Sequence, residues 1–201
     1  MKSRGTVFTL LDQIRKRPEM YLPQQSLEAL EVLPGGYHAA LHMPGIVEPV
    51  PAMNRHFRSW LAYRTGWSCA AGFARLIAEH YPRSESPLNQ FFLWADEYRV
   101  LKPTPLYHVP LQAHHQPTGN RVTYGHGGRM ERPNRVEMMH YQPEPLHVLT
   151  VLYPDRIVQH GIVLDGAGND VSSPDTAKRC MADEFQVAVD EWGAYAEGVV
   201  S

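Results

Sequence analysis

Ile14–Tyr37 reads IRKRPEMYLPQQSLEALEVLPGGY. This stretch decides how the first half of the chain folds. Pro18 cannot sit inside a continuing helix and biases Arg17 away from helical dihedrals. The amphipathic segment Thr6–Arg17, with Phe8, Leu11 and Ile14 spaced along one face, must therefore end there. Ser26 is placed to start a second helix running toward Leu41, because its hydroxyl can accept an orphan backbone N–H. Pro34-Gly35-Gly36 is expected to kink or split that helix, since proline removes a helical hydrogen bond.

Working outward, the helical spacing persists to about Leu101. Pro51–Arg64 carries Met53, Phe57, Trp60 and Leu61 at helical intervals, and Ala70–Tyr81 continues the pattern. Ser86-Pro87 starts another helix, with serine at the cap and proline at the first helical position, where its missing N–H costs nothing. It runs through Leu88, Phe91, Phe92, Ala95 and Tyr98. Phe57, Trp60, Phe73, Phe91 and Trp94 form the expected core of this region.

Residues 102–135 break the pattern. Pro103, Pro105, Pro110, Pro117, Pro133 and the Gly125–Gly128 cluster read as a long connection with little regular structure. Strand signals follow: Val136–Tyr141, then Leu146–Tyr153, then a turn at Tyr153–Arg156 into Ile157–Leu164. Ser173-Pro174 repeats the helix start, and a helix is expected to run to about Tyr195, packing Ala177, Met181, Phe185, Ala188, Trp192 and Tyr195 on the sheet. The expectation is an α+β protein: a helical region 1–101, a Pro/Gly/His-rich connection 102–135, and an antiparallel sheet of about three strands with a C-terminal helix in 136–201.

A chain of 201 residues, 43% hydrophobic and 20% charged, is long and apolar enough to bury a sizeable core. The net charge of -2 argues against nucleic acid or a membrane surface as partner. Charge is uneven along the chain: residues 1–101 carry net +2, 102–135 net +4 and 136–201 net -8. The acidic C-terminal part suits a basic partner, because complementary fields raise encounter rates. Cys69 and Cys180 lie far apart and outside any zinc spacing, which points to two buried thiols in a reducing compartment. The apolar run Val7–Leu11 is too short for a secretion signal and no stretch approaches a membrane span, so the expected location is cytoplasmic.

The 11 histidines are the main chemical signal. His108, His114, His115 and His126 fall in the connection, where imidazoles could ligate a metal or serve as a general base. No HExxH pattern accompanies them, and Glu131 is the only carboxylate in that segment. Gly125–Gly128 with Arg121, Arg129, Arg132 and Arg135 lacks the strand–loop–helix setting of a phosphate loop. No GxSxG occurs. The reading from residues is no cofactor, no metal and no catalytic group, with a metal-dependent enzyme using the loop histidines as the alternative.

Arg15–Leu22 resembles the Arg-Lys-Arg-Pro-Gly-Met-Tyr-Ile-Gly stretch of gyrase B-type ATPases. That fold requires an acidic residue and a metal-binding asparagine on the next helix, and SLEALEVLPGGYHAALHM contains no asparagine. A second resemblance covers more of the chain, about Leu10–Leu101. A group of bacterial immunity proteins of polymorphic toxin systems carries Ile-x-x-Arg-Pro-x-Met-Tyr-Leu-Gly, then Ser-Leu-x-x-Leu and Gly-Tyr-x-x-Ala. Ile14, Arg17, Pro18, Met20, Tyr21, Leu22, Ser26, Leu27, Leu30, Gly36, Tyr37 and Ala40 match it. Phe57, Trp60, Trp67, Phe91, Phe92, Leu93, Glu97 and Tyr98 follow in the same order. Pro23 departs from the pattern, which has glycine there, and Glu19 occupies a variable position that is often glycine.

This resemblance implies a cytoplasmic binder that neutralises a cognate protein toxin by occluding its active site. A nucleic-acid-directed toxin with a basic surface would suit the acidic C-terminal part. It implies structural roles within the signature: Met20 and Tyr21 anchor the loop, Gly36 permits close packing, and the contact surface lies elsewhere. Expected contacts are Asp183, Asp190 and Glu191 on the solvent side of the last helix, and Glu97 in the first region. An adaptor without a toxin partner is the other alternative.

Overall fold

The structure is a computed structural model and describes residues 6–42, 51–67, 69, 71–81, 86–112, 115, 124–126, 129–131, 134–144, 146–153, 156–163, 174–175, 178–179 and 186–194. It is α+β and divides into two units, Met1–Leu101 and Lys102–Ser201.

Among the described residues the first unit holds six α-helices, α1 (Val7–Lys16), α2 (Pro18–Tyr21), α3 (Leu27–His42), α4 (Met53–Thr65), α5 (Phe73–His80) and α6 (Pro87–Arg99), and a 3-10 turn, Pro23–Gln25. Local chemistry sets their ends. Thr6 and Thr9 form a reciprocal capping box at the start of α1, each hydroxyl taking the other's backbone N–H. Pro18 ends α1 and opens the single turn of α2. Ser26 caps α3 as expected, accepting the Ala29 N–H at 3.2 Å while donating its hydroxyl to Glu28 at 2.5 Å. That donated hydrogen holds the Glu28 carboxyl below its ordinary pKa.

The expected split at Pro34-Gly35-Gly36 does not occur: α3 runs unbroken from Leu27 to His42 with Pro34 inside it. Pro34 is buried there. Gly66, at φ +74, ends α4 in the left-handed region, its N–H reaching the Ala62 carbonyl at 2.8 Å.

The core of this unit is aromatic. Phe57, Trp60, Phe73, Phe91 and Trp94 are all buried, as the spacing predicts, and Tyr98 joins them. The Tyr98 hydroxyl donates to the Ala52 carbonyl at 3.1 Å, so its polar end is satisfied inside the core. An ion-pair chain fastens α1 to α6: Arg99 pairs with Asp12 at 3.0 Å and with Asp96 at 3.1 Å, and Arg15 pairs with Asp96 at 2.8 Å.

The second unit corrects two expectations. The stretch expected as an irregular connection contains strand β1 (Lys102–Pro110) and a hairpin, β2 (Tyr124–His126) with β3 (Arg129–Glu131). β1 joins β4 (Arg135–Gln142), β5 (Leu146–Tyr153), β6 (Arg156–Val163) and β7 (Gly193–Ala194) in one sheet of order β6-β5-β4-β1-β7. Every pairing is antiparallel. Among the described residues the sheet thus has five strands, where about three were expected. The prolines hid β1. Pro103 and Pro105 are two apart, so their nitrogens face the same edge. Over that stretch the edge opposite β4 carries no strand among the described residues, because β7 reaches only Tyr107 and His108. A missing N–H there breaks no ladder bond, and proline also discourages stray pairing.

The expected helix to Tyr195 is the other correction. Pro174, Asp175, Lys178 and Arg179 are helical, and the Lys178 ammonium sits 3.6 Å over the Tyr107 ring of β1. By Gln186 the chain has left the helix, with φ +55 there, and it continues as a 3-10 turn, Val189–Glu191, and then β7. The i+4 step from Ala188 to Trp192 misled: Ala188 is exposed, whereas Val187 and Trp192 are buried. At Gly193 and Ala194 the backbone pairs with the edge of β1 in place of a helical turn. Among the described residues, no helix is long and apolar enough to cross a membrane.

Candidate partner-binding surface

The acidic residues expected as contacts fare differently. Glu97 is exposed on α6 and pairs with Arg64 at 3.1 Å. Asp190 is exposed on the 3-10 turn, not on a helix. Asp183 lies outside the described residues. Glu191 is occupied within the fold: one carboxylate oxygen accepts the Ala188 N–H at 2.6 Å, and the other meets His115 Nε2 at 2.9 Å.

His115, in the Pro/Gly-rich segment, is buried. Its Nδ1 accepts the Gln112 N–H at 2.8 Å, so in the neutral ring Nε2 carries the hydrogen and donates to Glu191. A general base needs a lone pair turned toward substrate, and this one is taken by the backbone. His115 therefore ties the segment after β1 to the turn before β7. His108 lies on β1 and His126 on β2, and His114 lies outside the described residues. Among the described residues no three His, Cys, Asp or Glu side chains gather as a metal site.

The signature segment departs most from expectation. Met20 is 65% exposed and Tyr21 46% exposed. They do not anchor the loop in the core. Leu22, Leu27 and Leu30 do that, at 3%, 7% and 0%. The short turn of α2 explains this: four helical residues cannot bury two consecutive side chains on one side, and Leu22 takes the inward position. Gly36 is also exposed, and a Cβ built there meets nothing within 4 Å, so it serves no close packing.

Around Met20 and Tyr21 the backbone is held firmly. Arg15, just before the corner, donates to the Phe92 carbonyl at 2.6 Å and lies 4.7 Å over the Phe92 ring, besides its ion pair with Asp96. The Leu22 N–H closes α2 on the Pro18 carbonyl at 2.8 Å. Beyond it, Gln24 and Gln25 both hold positive φ, +54 and +52, without being glycine. Lys16, Arg17, Glu19, Gln24 and Gln25 are exposed around the apolar pair. Sequence spacing had no means of marking Met20 and Tyr21 as surface residues, since apolar type ordinarily signals burial.

A second polar assembly joins three helices. Glu31 of α3 accepts the Phe73 and Ala74 N–H groups at the start of α5, at 3.0 and 3.2 Å, and pairs with Arg58 of α4 at 2.5 Å. It supplies the cap that Gly72 cannot. Cys69 lies near this pair. Burial pushes its thiol up to about 11, the Arg58 guanidinium opposes that, and the Glu31 carboxylate adds to it. At about pH 8 its thiolate population is then roughly 100-fold below that of an unfolded chain. In a Cys180→Ser variant, iodoacetamide should label native Cys69 about that much more slowly than the chain in guanidinium. Equal rates would place the thiol in water. The sign for stability follows: this contribution is complete below the ordinary value of 9.0 and is lost as pH rises toward 11. Cys180 lies outside the described residues.

No protein-family model, no curated protein and no solved structure matches this chain.

Proposed function

We propose that this chain is an immunity protein that binds a cognate interbacterial toxin and neutralises it by covering the active site or blocking the substrate path. The observation that carries this reading is the exposure of Met20 and Tyr21 within the signature Arg17–Leu22. Side chains that hydrophobic collapse would bury are held at the surface on a firmly fixed corner, and tyrosine is enriched among the residues that dominate binding energy. The net charge of -8 over residues 136–201 supports a toxin with a basic surface, one directed at nucleic acid among them. The toxin is inhibited by occlusion, and the chain needs no cofactor and no catalytic residue for that.

Co-expression tests the function. Cells producing the toxin encoded beside this chain's gene should grow when the chain is present and stop growing when it is absent. Growth arrest with the chain fully expressed and folded would refute the reading.

A further inference from the structure

We infer that the corner formed by the end of α1 and by α2 is the docking face, and that the toxin meets it with an apolar pocket rimmed by carboxylates, a patch separate from the basic surface that suits residues 136–201. This inference rests on the binding function proposed above and says where the partner sits and what it presents.

Three independent features meet at this corner. Met20 and Tyr21 offer apolar area without needing to unfold anything. Lys16 and Arg17 are exposed beside them, against the single carboxylate of Glu19, and Arg17 Nη1 lies 4.0 Å from the Met20 sulfur. Gln24 and Gln25 stand consecutively in the left-handed region, where glycine would sit without strain. Strained backbone of this kind persists where its surroundings hold it, and it collects at ligand clamps. The corner is also preorganised by Arg15 and Leu22, so little freedom is lost on binding.

Charge selects the occupant. A second copy docking through the same corner in a two-fold dimer would bring two sets of Lys16 and Arg17 into one interface, and like charges oppose that pairing. A partner carrying carboxylates around a pocket for Tyr21 satisfies both the cations and the apolar pair.

The test uses the full chain and, as probe, the purified toxin domain encoded beside its gene, with affinity measured by calorimetry. Tyr21→Ala should weaken binding about 30-fold. The double reversal Lys16→Glu, Arg17→Glu should weaken it about 10-fold or more and flatten the dependence on salt. Unchanged melting temperatures establish that both variants fold. If wild type binds and protects, while Tyr21→Ala and the charge reversal both stay within about 2-fold of it, the docking face lies elsewhere and the immunity function stands. If wild type neither binds nor protects, both proposals fall. A wild-type dimer that Tyr21→Ala dissociates would overturn the docking assignment in favour of self-association.

Discussion

Phe57→Ala should destabilise the helical unit by about 4 kcal/mol, the largest loss expected from a single truncation in this protein. Phe57 is 1% exposed and touches four other rings: Trp60 at 5.8 Å, Phe73 at 5.5 Å, Phe91 at 5.8 Å and Tyr98 at 5.3 Å between centroids. Three of these contacts are edge-to-face, the arrangement the ring quadrupole favours. Those rings come from α4, α5 and α6, so the side chain joins three helices at one point. Removing it leaves a cavity that three separately anchored helices cannot jointly close. Urea unfolding followed by tryptophan emission reads the effect, since Trp60 and Trp94 lie in the same core. Leu93→Ala on α6 is the matched control: Leu93 is 57% exposed, and its loss should stay within about 0.5 kcal/mol. Equal losses for the two variants would show that the aromatic cluster does not carry the stability.

Gly72→Ala should cost at least about 3 kcal/mol, although it adds only one methyl group. Two causes act together. Gly72 has φ +95 and ψ 158, a region that is essentially reserved for glycine. An added Cβ would also run into the Glu31 carboxylate. That carboxylate is itself committed to the Phe73 and Ala74 N–H groups and to Arg58. Displacing it uncaps α5 and leaves Arg58 without its partner. Glu31→Ala alone should cost about 2–3 kcal/mol for the same reason, since it strands charged and backbone groups together. The double variant separates the causes. If the clash contributes, Gly72→Ala in the Glu31→Ala background costs less than in wild type; strict additivity would leave backbone strain as the only term.

These two sites differ in how legible they were. Phe57 stood out in the sequence because Met53, Phe57, Trp60 and Leu61 recur at helical spacing, and burial followed from pattern alone. Glu31 and Gly72 are 41 positions apart, and no local pattern links a helix-surface glutamate to a loop glycine. Their relation exists only once α3 and α5 pack. The same holds for His115 and Glu191. The first reads as a loop histidine open to metal or catalysis, the second as a free acidic contact, and folding makes each the other's hydrogen-bond partner.

The exposure of Met20 and Tyr21 was not legible. The expectation gave the signature Arg17–Leu22 a structural role, with Met20 and Tyr21 inside and the contact surface elsewhere, and the structure leaves both side chains exposed. Side-chain type says what a residue tends to do, and a one-turn helix with Leu22 pointing inward leaves its other apolar residues outside.

What the amino-acid sequence determined by itself is local and periodic: the end of α1 at Pro18, the cap at Ser26, the aromatic face of α4 and α6, and strands β4, β5 and β6. Each depends on residues within a few positions of one another, so dihedral preference and hydrophobic period suffice. What only the tertiary structure decided is non-local. β1 is a strand despite its prolines because, among the described residues, no strand pairs with its outer edge where they fall. The chain after Gln186 pairs as β7 instead of continuing a helix because β1 offers it an edge. Pro34 stays within α3 as a buried residue. Whether an apolar or charged side chain serves the core, another residue or a partner is set by what lies opposite it in space.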